Sequence, residues 1–200
     1  MSSNVSHLLQ TAVEHHQSGR LREAEAIYRS VLGEDTDYPN ALYLLGVVAL
    51  QTGRPEAAKK QFERTIAVSP DYAEAFNMCG DACSALGQYD AAIGHYRHAI
   101  EIQPQFAGAH NNLGNVYMTL GRLDDAAAEY RRAISIAPEF AMSHNNLGLV
   151  LKALGRPEEA LVHFQRAVSI APGYAEAYSN TGNALRDLGR PQDALDQYQR

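Results

Sequence analysis

Small and apolar residues return along this chain every 34 positions, in a register that runs without insertion or deletion from Val5 onward. The register divides the sequence into blocks 5–38, 39–72, 73–106, 107–140, 141–174 and 175–200, the last of them 26 residues long. A glycine holds the fifteenth place of every block (Gly19, Gly53, Gly87, Gly121, Gly155, Gly189) and an alanine the twentieth (Ala24, Ala58, Ala92, Ala126, Ala160, Ala194). The eighth place is Ala12 and then Gly46, Gly80, Gly114, Gly148 and Gly182, while the twenty-fourth is always a ring: Tyr28, Phe62, Tyr96, Tyr130, Phe164 and Tyr198. Glycine can take the left-handed backbone that ends a helix, so the fifteenth place predicts a turn between two helices. Small residues at the eighth and twentieth places predict close approach of those helices, with the large ring filling the space beside them.

Proline marks the same boundaries, because it is costly inside a helix but tolerated in its first turn or beyond its last. Pro55, Pro157 and Pro191 stand where a second helix opens, Pro70, Pro104, Pro138 and Pro172 stand after it, and Pro39 opens the second block. Acidic residues such as Asp124, Asp125, Glu158 and Glu159 cluster at the positive end of the second helix's dipole. The pattern predicts an all-α chain of helix pairs, stacked as one solenoid over residues 1–200 without a single central core. The first block, with Thr11 and Thr36 at two of its places, deviates as a terminal repeat should, and the last reads as cut short inside its second helix. An unfinished repeat of that kind is expected to expose Ala184, Leu185, Leu188 and Leu195, and with them a route to homo-oligomers through the C-terminal end.

Composition narrows the partners. Hydrophobic residues at 46% let every unit bury a face, and charged residues at 20% supply solvated surfaces. A net charge of −6 has the wrong sign for neutralising phosphates, so nucleic acid and anionic membranes are not expected partners. The N-terminal residues carry neither a basic segment nor an apolar one of signal-peptide type, and no apolar run approaches a membrane span, which leads to an expectation of a cytoplasmic protein.

Catalytic and metal chemistry find little support in the spacing. Glycine-rich phosphate loops and nucleophile elbows are absent from the sequence, and paired acids are explained by helix starts, so neither an active site nor a cofactor is expected. His95 and His98 could share a helix face, but no third ligand stands beside them in sequence, and exposed surface is the favoured reading. Cys79 and Cys83 fall at the seventh and eleventh places, where other blocks have Leu113, Tyr117, Leu147 and Leu151, and are read as core fillers. His110 and His144 at the fourth place are read as partly buried packing groups.

Asparagine is the more informative polar residue. Asn112, Asn146 and Asn180 hold the sixth place of the later blocks, where earlier blocks have Gln10, Leu44 and Met78; Asn115, Asn183 and Asp81 hold the ninth. The second, sixth, ninth and thirteenth places share one stripe of the first helix. An asparagine offers an acceptor and two donors, which suits a peptide backbone whatever its sequence, although hydrogen bonds between neighbouring helices are the competing use. The second, fifth, sixth and ninth places carry no Lys or Arg, which excludes a clamp for acidic peptide tails.

The set Gly114, Gly121, Ala126, Tyr130, Ala133 and Pro138 resembles the tetratricopeptide repeat, and in this register the resemblance covers residues 5–200. It implies a right-handed superhelix of antiparallel helix pairs whose first helices line a concave groove, and a scaffold that binds extended polypeptides there. Asn112, Asn115, Asn146, Asn180, Asn183 and Asp81 are the expected groove residues. The run from Asn112 to Tyr117 and the segment Leu44 to Gln51 also resemble the repeat arrays of bacterial proteins similar to O-linked N-acetylglucosaminyltransferases. In that family an asparagine ladder at the sixth place holds peptide, so the alternative is the substrate-recognition arm of such a glycosyltransferase, with its catalytic domain beyond Arg200.

Overall fold

The computed structural model describes residues 3–34 and 36–199, and among them every regular element is an α-helix. The contacts divide the chain into two compact units, residues 1–104 and 105–200. The first contains α1 (Ser3–Gln17), α2 (Leu21–Glu34), α3 (Pro39–Gln51), α4 (Pro55–Val68), α5 (Ala73–Ala85) and α6 (Tyr89–Ile102). The second contains α7 (Ala107–Thr119), α8 (Leu123–Ile136), α9 (Ala141–Ala153), α10 (Pro157–Ile170), α11 (Ala175–Asp187) and α12 (Pro191–Tyr198). Each block is thus a helix pair. From the second block on, the first helix opens at the first place of its block, whereas α1 begins two residues ahead of Val5.

The turn between paired helices repeats atom for atom. Gly121 has φ 71°, with the other five fifteenth-place glycines at 71–74°. Its N–H donates to the Met118 carbonyl at 3.0 Å and the next N–H, of Arg122, to the Tyr117 carbonyl at 2.8 Å. These two bonds satisfy carbonyls that the end of α7 would leave unpaired, and they require a left-handed residue between them. Pro39, Pro55, Pro157 and Pro191 sit in the first turn of their helices, where the missing N–H has no intrahelical partner to lose.

The glycine at the eighth place serves a different purpose. A Cβ built on Gly46, Gly80, Gly114 or Gly148 would stand 2.5–2.7 Å from the ring at the twenty-fourth place of the same repeat, and Gly182 is likewise covered by Tyr198. Phe62, Tyr96, Tyr130 and Phe164 are buried to within 2% of full burial, so the ring of the second helix lies directly on the backbone of the first. Ala58, Ala92, Ala126 and Ala160 are fully buried on the facing side. Thr65, at the place where later blocks have Ala99, Ala133 and Ala167, is buried with its hydroxyl donating to the Gln61 carbonyl at 2.9 Å.

One expectation needs correction. Ala184 and Leu185 are not exposed but buried, because α10 and α12 both pack on α11 and cover them. Leu188 is half-buried, and the exposed apolar side chains of this region are Leu195 at 48% and Tyr198 at 45%.

The contact of ring on glycine predicts that Gly114→Ala will lower stability by about 1–3 kcal/mol, since the added methyl must displace a closely packed ring. Gly121→Ala, with open space around it but a left-handed backbone, should cost about 1–2 kcal/mol. Urea midpoints of the two variants check both, and an unchanged midpoint for Gly114→Ala would contradict the packing described.

Candidate peptide-binding face

The sixth-place asparagines of the second unit are tied into a regular inter-repeat network. Asn146 on α9 donates to Asn111 Oδ1 at 3.3 Å and to Asn115 Oδ1 at 3.0 Å on α7, and Asn180 on α11 donates to Asn145 Oδ1 at 2.9 Å on α9. The sixth-place amides of Asn146 and Asn180 therefore reach the fifth-place asparagine of the preceding repeat, while Asn112 Oδ1 accepts from Asn111 Nδ2 at 3.3 Å. Asn111 and Asn145 are buried, at 2% and 0% exposure, and had not been singled out by the sequence pattern. Their signal was the Asn-Asn doublet at 111–112 and 145–146. Asn111 Oδ1 also accepts from the Ser143 hydroxyl at 2.9 Å, and Asn145 donates to Glu176 at 3.4 Å. Such buried amides are stable only when their partners are all in place, which gives the array a polar seam that fixes how α7, α9 and α11 lie side by side.

The ninth place has a second occupation. The Tyr130 hydroxyl donates to Asn115 Oδ1 at 2.8 Å, that of Tyr198 to Asn183 Oδ1 at 2.9 Å, and that of Tyr96 to Asp81 Oδ1 at 2.7 Å. Where the twenty-fourth place is Phe62 or Phe164, the ninth is Val47 or Leu149. From the second block on, ring hydroxyl and ninth-place acceptor thus occur together or not at all. In the first block, where Val13 offers no acceptor, the Tyr28 hydroxyl lies 3.4 Å from His16 Nδ1 instead. Burial first, and the Asp81 carboxylate second, push the Tyr96 hydroxyl well above its ordinary range, so it acts as a donor at any physiological pH.

The proposed groove residues accordingly lie on one stripe in the second unit, Asn112, Asn115, Asn146, Asn180 and Asn183, each half-buried, with Asp81 at the equivalent place of α5 in the first. Asn146 and Asn180 use an N–H within the network and keep an Oδ1 acceptor; Asn115 and Asn183 use their oxygen and keep an amide donor. The stripe therefore keeps both donors and acceptors, at places that carry no Lys or Arg of their own. Two open depressions in the surface are lined by residues other than these asparagines, one by Tyr38, Pro39, Asn40 and Tyr72, the other by His110, Glu129, Arg131 and Arg132.

The fourth-place histidines are buried, at 7% exposure each, as their position suggests, but they are hydrogen-bonded as well. His110 Nδ1 lies 2.7 Å from Glu129 Oε2. His144 Nε2 meets the Pro138 carbonyl at 3.1 Å, and its Nδ1 meets Nδ1 of His163 at 3.1 Å. A carbonyl only accepts, so His144 carries its proton on Nε2 and accepts at Nδ1 from His163. Burial lowers the basicity of both rings.

Cys79 and Cys83 are buried, as core fillers should be, and they also face His95 on α6, which the spacing along the chain did not reveal: Cys79 Sγ is 3.5 Å from His95 Nε2, and the two sulfurs and the ring nitrogen lie within 4.8 Å of one another. His98 takes no part, its ring 4.4 Å from that of Phe76 and its Nδ1 3.2 Å from Glu101. Burial pushes the Cys79 thiol up to about 12 and lowers the basicity of His95.

Models of the family described as TPR repeat match residues 80–121 and 114–155, and models described as tetratricopeptide repeat match residues 15–81 and 139–200. The chain belongs to the tetratricopeptide repeat family. Among solved structures it is similar to MamA, with 27% identity over 82% of this chain and 96% of that one and a TM-score of 0.72. PilW, described as a type IV pilus biogenesis factor, matches with 20% identity over 98% of this chain and 91% of its own at a TM-score of 0.88. YrrB, described as a TPR protein with an unusual peptide-binding site, matches with 24% identity over 85% and 88% at a TM-score of 0.66. No curated protein matches the sequence. The fold is that of the α-solenoids, and the class it defines is a protein-interaction scaffold. The narrower likeness to glycosyltransferase arrays gains no support from these comparisons. Among the described residues no helix is long and apolar enough to cross a membrane.

Two predictions follow from this chemistry. Tyr130→Phe should cost about 1 kcal/mol, and Asn115→Leu about 2 kcal/mol because it removes the acceptor of both Tyr130 and Asn146; the double variant, which recreates the pair Leu149 and Phe164, should recover the part of the loss that belongs to the tyrosine in a double-mutant cycle. A cycle with no coupling would contradict the pairing. For the His144–His163 pair, basicity is lowered on folding, so the unfolded chain, titrating near 6.5, binds more protons. The pair's contribution is present in full above that pH and is lost as the pH falls further. Tm should therefore drop between pH 7.5 and pH 5.5, and less steeply in His163→Gln, which places there the residue found at Gln61 and Gln197.

Proposed function

We propose that the scaffold binds an extended polypeptide through its main chain, along the asparagine stripe of the second unit. The observation that carries this reading is the alternation of uncommitted acceptors on Asn146 and Asn180 with uncommitted amide donors on Asn115 and Asn183, all half-buried and held in place by the buried Asn111 and Asn145. A polypeptide backbone presents the complementary alternation of N–H and C=O groups, and positions fixed in advance lose little entropy on binding. Exposed acids at Glu74 and Glu176, together with the absence of Lys and Arg from the stripe, favour a neutral or basic segment over an acidic one. The peptide site named for YrrB belongs to that protein; support here comes from these side chains.

A substrate-recognition arm of a protein O-linked N-acetylglucosaminyltransferase-like enzyme would use the same stripe, and the half ladder of Asn112, Asn146 and Asn180 is what it shares with this reading. The reading frame beyond residue 200 separates the two.

Asn112, Asn146 and Asn180 replaced together by Ala should abolish binding of peptides selected from a displayed random library against the wild-type chain. Each lost inter-repeat bond of Asn146 and Asn180 should also cost about 1 kcal/mol, so binding is compared at a temperature where circular dichroism shows both proteins folded. Val162→Ser, at a side chain 63% exposed on α10, is the control that should bind normally. Selected peptides that bind the triple variant as tightly as the wild type would overturn the proposal.

A further inference from the structure

The third repeat departs from its neighbours at three places that converge in space. At the seventh, eleventh and twenty-third places the second repeat has Leu45, Ala49 and Gln61, the fourth has Leu113, Tyr117 and Glu129, and the fifth has Leu147, Leu151 and His163. The fold is satisfied there by apolar residues facing a variable polar one. Only the third repeat sets two thiols against an imidazole, Cys79 and Cys83 on α5 and His95 on α6, and repetition of the scaffold does not require this.

We propose that Cys79, Cys83 and His95 bind one thiophilic metal ion, Zn²⁺ or Cu⁺, between α5 and α6.

The geometry suits a common ion. With metal–sulfur bonds of about 2.3 Å and metal–nitrogen bonds of about 2.0–2.1 Å, the ligand atoms of a tetrahedral or trigonal centre stand about 3.5–4 Å apart. Cys79 Sγ and His95 Nε2 are already 3.5 Å apart, and all three atoms fall within 4.8 Å. The cysteines are one helical turn apart on the same face, so α5 presents both sulfurs to α6 without rearrangement of the backbone. A disulfide between them is disfavoured by that same helix, which holds Cβ atoms one turn apart at about 5–6 Å, beyond the roughly 3.5–4.5 Å that a disulfide needs. Two sulfurs and an imidazole select soft or borderline closed-shell ions over Mg²⁺ or Ca²⁺, which need oxygen donors. Both thiols are fully buried, which keeps competing water from the sulfur side of the centre. Lys59 and Glu63 on α4 are the charged groups that act on the cluster. Binding would clamp the two helices of this repeat together.

The test uses the full chain, reduced and stripped of metal, titrated separately with Zn²⁺ and with Cu⁺ against chromophoric chelators. Co²⁺ serves as the spectroscopic stand-in for Zn²⁺. One equivalent of either ion, a thiolate charge-transfer band on adding Co²⁺ if Zn²⁺ is the ion held, and a raised Tm in its presence are expected. The triple variant C79L/C83A/H95Q rebuilds the second repeat's own combination, so it is designed to fold; it should lose affinity by on the order of 100-fold or more. Cys83→Ser alone, close in size to the native side chain, carries the same expectation should the triple variant prove unstable. His98→Gln should bind as the wild type does. Absence of stoichiometric binding of both ions, or binding retained by folded variants lacking the cluster, would overturn the proposal.

Discussion

The contact of an aromatic ring with a bare glycine backbone is the interaction on which each repeat depends. A side chain at the eighth place would hold the paired helices apart, and the ring at the twenty-fourth place would have no surface to cover. With glycine there, the ring lies directly on the backbone of the first helix and its outer edge reaches the ninth-place side chain. That reach has a chemical consequence: a tyrosine hydroxyl delivered to this point needs an acceptor, and the ninth place supplies it as Asp81, Asn115 or Asn183. Architecture and polar surface are therefore linked through one side chain.

The same linkage explains why the asparagines of the second unit form an ordered face. Asn115 is held from one side by Tyr130 and from the other by Asn146, so its free amide has a fixed direction. Asn146 and Asn180 are in turn anchored on the buried fifth-place asparagines. Structural and binding roles look like an either-or choice when only residue types are known, but a single side chain can divide them. In Asn115, Asn146 and Asn180 one end of the amide holds the array together, and the proposed binding would use the other.

Periodicity made the helix boundaries legible, because the glycine turn and the proline starts are local signals that act within a few residues. The six left-handed glycines and the proline first turns fall where the spacing puts them. What stayed hidden depends on pairs of elements. His95 meets Cys79 across a separation of 16 residues, and only the packing of α5 on α6 shows that they face each other. The pairing of Tyr with Asn or Asp, and of Phe with Val or Leu, was present in the sequence as two correlated columns, but its meaning required knowing how deep the ring sits. Ala184 and Leu185 were misjudged for the opposite reason: the eight residues of α12 suffice, with α10, to cover them.

The most direct test of peptide binding on the stripe is side-chain amide NMR of the ¹⁵N-labelled chain as a selected peptide is added. Binding along the stripe predicts that the Nδ2 resonances of Asn112, Asn115, Asn146, Asn180 and Asn183 shift with one common saturation curve. It also predicts that Asn111 and Asn145, buried behind them, keep the slow solvent exchange of an intact seam. Shifts confined to the second helices of the pairs, with the stripe amides unmoved at saturation, would contradict it.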